Sequence, residues 1–199
     1  MKRKRKKKGW IGKTFVFLIV AVAGLLILFL FREEVRPLLK LKFAKPHLSQ
    51  EKKGVVVYFS DSEGEYLIGE KREILKKGLV EKEATEVIVE LMKGPKGKLL
   101  PTLPQRAELL AFQLNADGVA RVNFNQSLSR DHPGGSSAEM MTVYSIANSL
   151  ILNFPEIKRV QILIEGKEVE TLAGHLALKK PIASKPDLIR KSGKNRSGG

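Results

Sequence analysis

An uncharged, strongly apolar run of eighteen residues, Thr14 to Phe31, constrains this sequence more than any other feature. A helix that rises about 1.5 Å per residue would reach ~27 Å over this run, close to the ~30 Å hydrocarbon core of a bilayer. The run also lacks the polar face of a helix that packs on a soluble core. The sequence therefore predicts a transmembrane helix over residues 14–31.

The basic residues around the run indicate its orientation. Eight Lys or Arg precede it, and Trp10 occupies the interfacial position that aromatic residues prefer. A cleaved signal peptide is the alternative, but its apolar region is about 7–15 residues long and small residues mark its cleavage site. Here the run is longer and ends in Phe29-Leu30-Phe31 before Arg32. We expect an uncleaved, single-pass anchor in the cytoplasmic membrane, with residues 1–13 as a basic cytoplasmic tail and the rest extracytoplasmic.

The formal charge of +15 suggests nucleic-acid binding until its distribution is considered. Residues 1–31 carry eight bases and no acid, whereas residues 54–181 carry sixteen bases and seventeen acids. A nucleic-acid-binding domain carries its positive charge on its own surface, so we expect no nucleic acid among the partners. Residues 32–53 are basic and contain Pro37 and Pro46, which is typical of a linker, and we expect residues 182–199 to form a disordered basic tail.

The chain has no cysteine and three scattered histidines. The lack of cysteine excludes a disulfide framework, a thiolate metal site, a cysteine nucleophile and a lipidated cysteine anchor. No motif with metal-ligand or cofactor-binding spacing is present. We therefore expect no metal, no cofactor and no catalytic residue.

Residues 54–181 read as one small α+β domain. Val55–Phe59 has the β-branched and aromatic composition of a buried strand. Apolar residues at helical spacing predict a helix over 81–93, and alternation predicts a hairpin with Leu110, Phe112 and Leu114 on one face. A second helix starts near Ser136, and two further strands cover residues 160–164 and 169–172. We predict two layers, a mixed sheet with both helices on one face.

The start of the second helix holds most of the candidate site residues. Ser136 and Glu139 have the S-x-x-E spacing of a capping box, in which the serine caps the helix. Gly135 and Ser136 are alternatively candidates for an anion site at the helix N-terminus. His175 is a candidate for a binding or catalytic role, although a hydrogen-bonded structural histidine is the simpler interpretation. Asp131-His132, shortly before this helix, is interpreted as a solvated loop pair, with an acid–base pair as the alternative.

Seven short segments stand in order along residues 54–181. They are residues 57–61 (VYFSD), 90–95 (ELMKGP), 117–124 (DGVARVNF), 135–139 (GSSAE), 143–150 (VYSIANSL), 154–160 (FPEIKRV) and 164–175 (IEGKEVETLAGH). In this order and spacing they resemble the GerMN domain of the spore-germination GerM family. The resemblance implies a bacterial cell-envelope domain on the extracytoplasmic side, with a fold akin to the ring-building motifs of sporulation channel components.

The same resemblance implies a role in assembly without a recognised active site. This chain differs from that family in having no cysteine to lipidate and a single domain where the spore protein has tandem domains. We expect a membrane-anchored binding or assembly module, related to sporulation or germination, with an envelope protein as its partner and weak self-association. The alternative is a cell-envelope (peptidoglycan) hydrolase that uses His175 with a nearby carboxylate.

Overall fold

The computed structural model describes residues 10–30 and 51–190. The chain divides into two compact units between residues 49 and 50. The predicted tail 1–13, linker 32–53 and tail 182–199 therefore lie only partly within the described residues. Residue 31 of the predicted span also lies outside them.

Helix α1 comprises Trp10–Leu30, 21 residues. Its side chains are described at positions 15–27 and 29, and all of these are exposed. Among the described residues, no helix combines the length and the apolarity that a membrane crossing needs. The membrane-spanning role of residues 14–31 thus stays a prediction.

Two long strands, β1 (Lys52–Ser60) and β2 (Leu67–Leu75), form an antiparallel hairpin that begins the domain. The strand predicted over residues 55–59 is present, but only its alternate residues Val55, Val57 and Phe59 are fully buried. The domain begins at β1, so residues 52 and 53 belong to a strand and not to the predicted linker.

Helix α2 (Val80–Met92) follows, close to the predicted 81–93. Its buried face is Ala84, Val87, Ile88 and Leu91, four of the five apolar positions predicted from the spacing, and Met92 is half-buried. The chain leaves this helix at Gly94-Pro95, where Gly94 has φ +77.

A four-stranded sheet forms the second half of the domain. It contains β3 (Leu109–Leu114), β4 (Val119–Phe124), β5 (Arg159–Ile164) and the two-residue β6 (Lys167–Glu168) in that order. Strand β4 pairs antiparallel with β3 and parallel with β5. The predicted return strand over 169–172 is therefore wrong, since the strand comprises only residues 167–168.

The predicted inward face of β3 is wrong at one position. The register shifts between Leu109 and Ala111, so that a bulge separates Leu110 from the alternation of the strand. Leu110 is 48% exposed, whereas Phe112 and Leu114 pack against the core. An extra residue in one strand of a pair breaks the period of two, which alternation alone does not reveal.

The short helix α3 (Ser127–Arg130) and the long helix α4 (Ser136–Ile151) connect β4 to β5. Helix α4 is the central element of the domain, because residues 141–150 are buried except for Tyr144. It contacts α2, β1 and β5. Its buried positions include the polar residues Thr142, Ser145, Asn148 and Ser149, so its apolar residues mark only part of its buried surface.

The strands form two sheets, not the single mixed sheet predicted. The reason lies at the free edge of β1, where side chains from the end of α4 and from the residues just after it take the place of a neighbouring strand. Asn153 Oδ1 accepts the Val56 N–H (2.9 Å) and its Nδ2 donates to the Val56 carbonyl (2.6 Å), while Ser149 Oγ accepts the Tyr58 N–H (3.0 Å). These bonds satisfy the edge of β1, so no strand of the second sheet can pair there.

The chain from 182 to 190 is part of the domain, in contrast to the predicted disordered tail. Ile182 exchanges two backbone hydrogen bonds with Val160, each 2.8 Å. The backbone of Lys185 pairs with the side chain of the buried Asn148, and Arg190 pairs with Asp61 at 2.8 Å. We name residues 182–190 the C-terminal strap, because it runs from β5 over α4 to the β1–β2 hairpin.

Candidate binding cavity

A cavity of about 390 Å³ lies between the first turns of α4 and the chain that links α2 to β3. Most of its wall is apolar, and the remainder is hydroxyl groups and backbone. The lining residues are Ser60, Gly64, Leu100, Pro101, Thr102, Leu103, Pro104, Pro133, Ser137, Ala138, Met141 and Thr142. None of these side chains is ionisable, which suits binding more than acid–base chemistry.

The outer wall of the cavity is the segment 100–104. Leu100 exchanges two backbone hydrogen bonds with Ser60, at 2.9 and 3.2 Å, which joins the segment to the end of β1. On the helix side, the Thr142 hydroxyl donates to the Thr102 carbonyl (2.6 Å). Prolines at 101 and 104 restrict the backbone between these ties. The wall is therefore held from both sides.

Thr102 has an unusual place in this wall. The residue is 7% exposed, and its Oγ1 finds no hydrogen-bond partner within the described part of the chain. A buried hydroxyl without a partner costs free energy, so it is a point of local weakness in the domain.

The first turn of α4 forms the inner wall. Its N-cap is Gly135, in a left-handed conformation with φ +84 that a residue with a side chain rarely adopts, and no side chain caps the helix. The predicted Ser136–Glu139 capping box is therefore wrong. Ser136 lies one residue inside the helix and is exposed, so its hydroxyl is not at the N-cap position.

Glu139 has a different partner from the one its spacing predicts. The side chain is fully buried, and it accepts backbone N–H groups of Leu172 (2.7 Å), Ala173 (3.1 Å) and His175 (2.8 Å). Burial alone raises the pKa of Glu139, but these N–H groups together outweigh it and bring the pKa below its usual value. The carboxylate thus fixes the 172–175 loop to α4.

His175 is held only through this loop. Its backbone N–H binds Glu139, while the residue is exposed to solvent. The hydrogen bond expected of a structural histidine is thus made by the backbone of an exposed residue. Because both oxygens of Glu139 are engaged by backbone N–H groups, that carboxylate is not available to act as an acid–base partner for the imidazole.

His132 is bonded both to the loop before α4 and to the helix itself, which the sequence did not predict. Its Nδ1 accepts the Gly134 N–H (3.0 Å), and its Nε2 lies 3.0 Å from the Thr142 hydroxyl. The half-buried ring is thus not part of a solvated pair, and the neighbouring Asp131 is paired with Arg130 instead. A histidine just before Pro-Gly-Gly and a helix is the only signal that indicated this role.

The three candidate residues all lie near the first turn of α4, but none of them lines the cavity. Gly135 and Ser136 immediately precede the lining residues Ser137 and Ala138, and His175 is joined to the turn through Glu139. In the described part of the chain, no group of three His, Cys, Asp or Glu residues could hold a metal ion.

The comparisons with known proteins agree with this architecture. The family model described as "Germane: Sporulation and spore germination" matches residues 56–170. This match covers more than half of the chain, and the chain belongs to that family. The comparison with curated proteins returned no match.

Three solved structures are similar to this chain. They are the tandem GerMN domains of the sporulation protein GerM from Bacillus subtilis (21% identity, 75% of this chain and 50% of that one, TM-score 0.54), the first GerMN domain of the same protein (18%, 68% and 99%, TM-score 0.55), and a candidate lipoprotein from Clostridium perfringens (28%, 70% and 93%, TM-score 0.49). The two GerM structures share the fold of residues 51–190, and one GerMN domain accounts for the match.

Proposed function

We propose that this chain is a membrane-anchored, extracytoplasmic binding or assembly protein of the bacterial cell envelope, with a role related to sporulation or germination. Membership of the Germane family supports the role related to sporulation or germination. The cavity supports binding, because it is apolar, about 390 Å³ in volume and lined by no ionisable side chain. This composition of the wall is the observation that carries the proposal.

The anchor is supported by the apolar run 14–31 and by the helical conformation of residues 10–30. The excess of basic residues before the run favours a cytoplasmic N-terminus. A reporter enzyme that is active only outside the cytoplasm, fused after Arg190, should be active in cells. Activity of a cytoplasm-dependent reporter at the same position would overturn this topology.

The partner we propose is another envelope protein that contacts the cavity. Two leucines offer a matched test, because Leu100 and Leu152 are each 45% exposed but only Leu100 lines the cavity. Replacement of either by the photo-crosslinking residue benzoylphenylalanine in the full chain, followed by irradiation of cells, should give a specific product at position 100. Identical products at 100 and 152 would show that the cavity does not direct the contact.

A further inference from the structure

His132 does not line the cavity, but its ring is bonded to two segments that form the cavity walls. Through Nδ1 it holds the N–H of Gly134, next to the lining residue Pro133, and through Nε2 it contacts Thr142 on α4. Thr142 in turn donates to the Thr102 carbonyl in the outer wall. One imidazole therefore connects the loop before α4, the helix and the 100–104 segment.

These bonds define the proton positions. Nδ1 must carry no proton, because it accepts from the Gly134 N–H. The Thr142 proton is committed to the Thr102 carbonyl, so Nε2 must donate to the Thr142 oxygen. Only the neutral imidazole with its proton on Nε2 satisfies all three bonds. In the imidazolium, a proton on Nδ1 would face the N–H of Gly134.

We propose that His132 is a pH switch of the cavity wall, in which protonation of Nδ1 releases the Gly134 N–H and frees Pro133 and Gly134 from their place beside α4. That this release regulates partner binding rests on the proposed function, whereas the switch itself does not. It assigns to this histidine a role beyond the solvated loop pair that the sequence predicts.

The freed segment has few other ties. Gly134 and Gly135 both adopt left-handed backbone conformations, with φ +81 and +84, and carry no side chain that could pack. No side chain caps α4 there, and within the described residues the Gly134 N–H binds only the imidazole. Gly135 is also held by its carbonyl, which accepts the Glu139 N–H (3.0 Å), so loss of the imidazole bond acts mainly on Pro133 and Gly134.

The charges around the imidazole set the direction of its titration. Burial lowers the pKa of His132, and from α4 the Glu139 carboxylate raises it only in part. On the His132 side, Asp131 is engaged with Arg130, and the facing segment 100–104 has no ionisable side chain. The pKa of His132 is therefore below the ~6.5 of an unperturbed histidine. The cavity wall is closed at neutral pH and opens on acidification.

The protonation state can be read directly in the full chain in detergent micelles, from the imidazole ¹⁵N signals of wild type, His132→Asn and His175→Asn. We expect the His132 signals to show the neutral Nε2–H form at neutral pH and to titrate below the ~6.5 of an unperturbed histidine. A proton on Nδ1 at neutral pH, or titration at or above that value, would overturn the proposal.

Hydrogen exchange then tests the motion. In His132→Asn the amide oxygen can replace Nδ1 as acceptor for Gly134, but the side chain cannot titrate. Because intrinsic exchange varies with pH, the two full-length proteins are compared at equal pH, from about pH 7.5 down to about two units below the ~6.5 of an unperturbed histidine. At the acidic end, residues 133–138 of the wild type should exchange roughly two- to tenfold faster than in the variant. This factor is the one expected from the loss of one hydrogen bond.

Equal exchange in the two proteins over the whole range would overturn the switch. If this segment responds as expected and the crosslink at position 100 is absent, the switch stands and the proposed partner contact fails. If the crosslink forms and exchange does not respond to pH, the partner contact stands and the switch fails.

Discussion

The Glu139 carboxylate and the His175 backbone N–H lie 2.8 Å apart, and this bond joins the first turn of the central helix to a loop 36 residues later in the sequence. Two more backbone N–H groups of the same loop donate to Glu139, whose charge is otherwise enclosed in the core. Consecutive N–H groups that converge on one anion can satisfy a buried carboxylate without a cation.

Glu139→Gln should therefore destabilise the domain by about 2–3 kcal/mol. The neutral amide keeps the shape, but its NH₂ group must face at least one backbone N–H of the loop. Urea denaturation followed by circular dichroism measures the change. Ser136→Ala is the matched control, because Ser136 is exposed and caps nothing, and its free energy of unfolding should stay within about 0.5 kcal/mol of wild type.

The stabilisation from Glu139 also depends on pH. Its pKa in the folded domain is below that of the unfolded chain, so the stabilisation is complete above the unfolded value of ~4.3 and is lost as pH falls through and below it. The wild type should lose more stability on acidification through this range than Glu139→Gln. Parallel curves for the two proteins would contradict the assignment of a buried, ionised carboxylate.

The sequence predicted the elements well where a local rule governs them. The buried faces of β1 and α2 follow their periods of two and 3.6, and the β3–β4 hairpin follows its Gly-closed turn. Glu139 shows where local rules fail. A serine and a glutamate at capping-box spacing satisfy the pattern, yet the partners of the glutamate lie in a loop that only the tertiary fold brings near.

The same limit explains the division into two sheets. Asn153 carries no sequence signal for pairing with a strand 97 residues earlier, and neither does Ser149. The C-terminal strap escaped prediction because the polar, basic residues 191–199 that follow it dominate the composition of 182–199, and because its contacts are made by its backbone, through Ile182 and Lys185. The cavity also escaped detection, since its lining combines four separate segments whose residues are individually unremarkable.

Asn153→Ala should destabilise the domain by about 2–3 kcal/mol, because it leaves both polar groups of the Val56 backbone unpaired. It should also uncover the edge of β1 and so increase aggregation of the protein on heating. Thermal denaturation with simultaneous light scattering measures both effects. The control is Leu152→Ala at the neighbouring exposed position, which should aggregate no more than wild type. A stable, non-aggregating Asn153→Ala would show that α4 does not protect this edge.

Thr102→Val should raise the stability of the domain, by about 0.5–1.5 kcal/mol, whereas most core substitutions lower it. The valine matches the shape of threonine and removes a buried hydroxyl that has no hydrogen-bond partner among residues 10–30 and 51–190. The backbone carbonyl that binds Thr142 is unaffected. Thr142→Val is the informative comparison, because that hydroxyl makes two hydrogen bonds and its loss should be destabilising. Urea denaturation distinguishes the two, and a Thr102→Val variant less stable than wild type would mean that its hydroxyl is satisfied in solution.

The limits of the folding unit give the last prediction. Residues 50–190 should fold without the preceding segment, because every element from β1 to the strap is included. Fragment 54–181 should be much less stable, since it lacks the pairing of Lys52 and Lys53 with the end of β2, the Lys53–Glu83 ion pair and the strap contacts of Ile182 and Arg190.

Fragments 50–181 and 54–190 separate the contributions of the two ends. We expect the loss of the strap to cost more, because it covers buried Asn148 and bridges β5 to the hairpin. Light scattering on fragment 50–190 should give a monomer in dilute solution. The uncharged β3, with exposed Leu110, offers an edge for weak contacts that become effective only when anchored copies are concentrated in a membrane. A stable oligomer of the free fragment, or equal melting temperatures for all four fragments, would contradict these expectations.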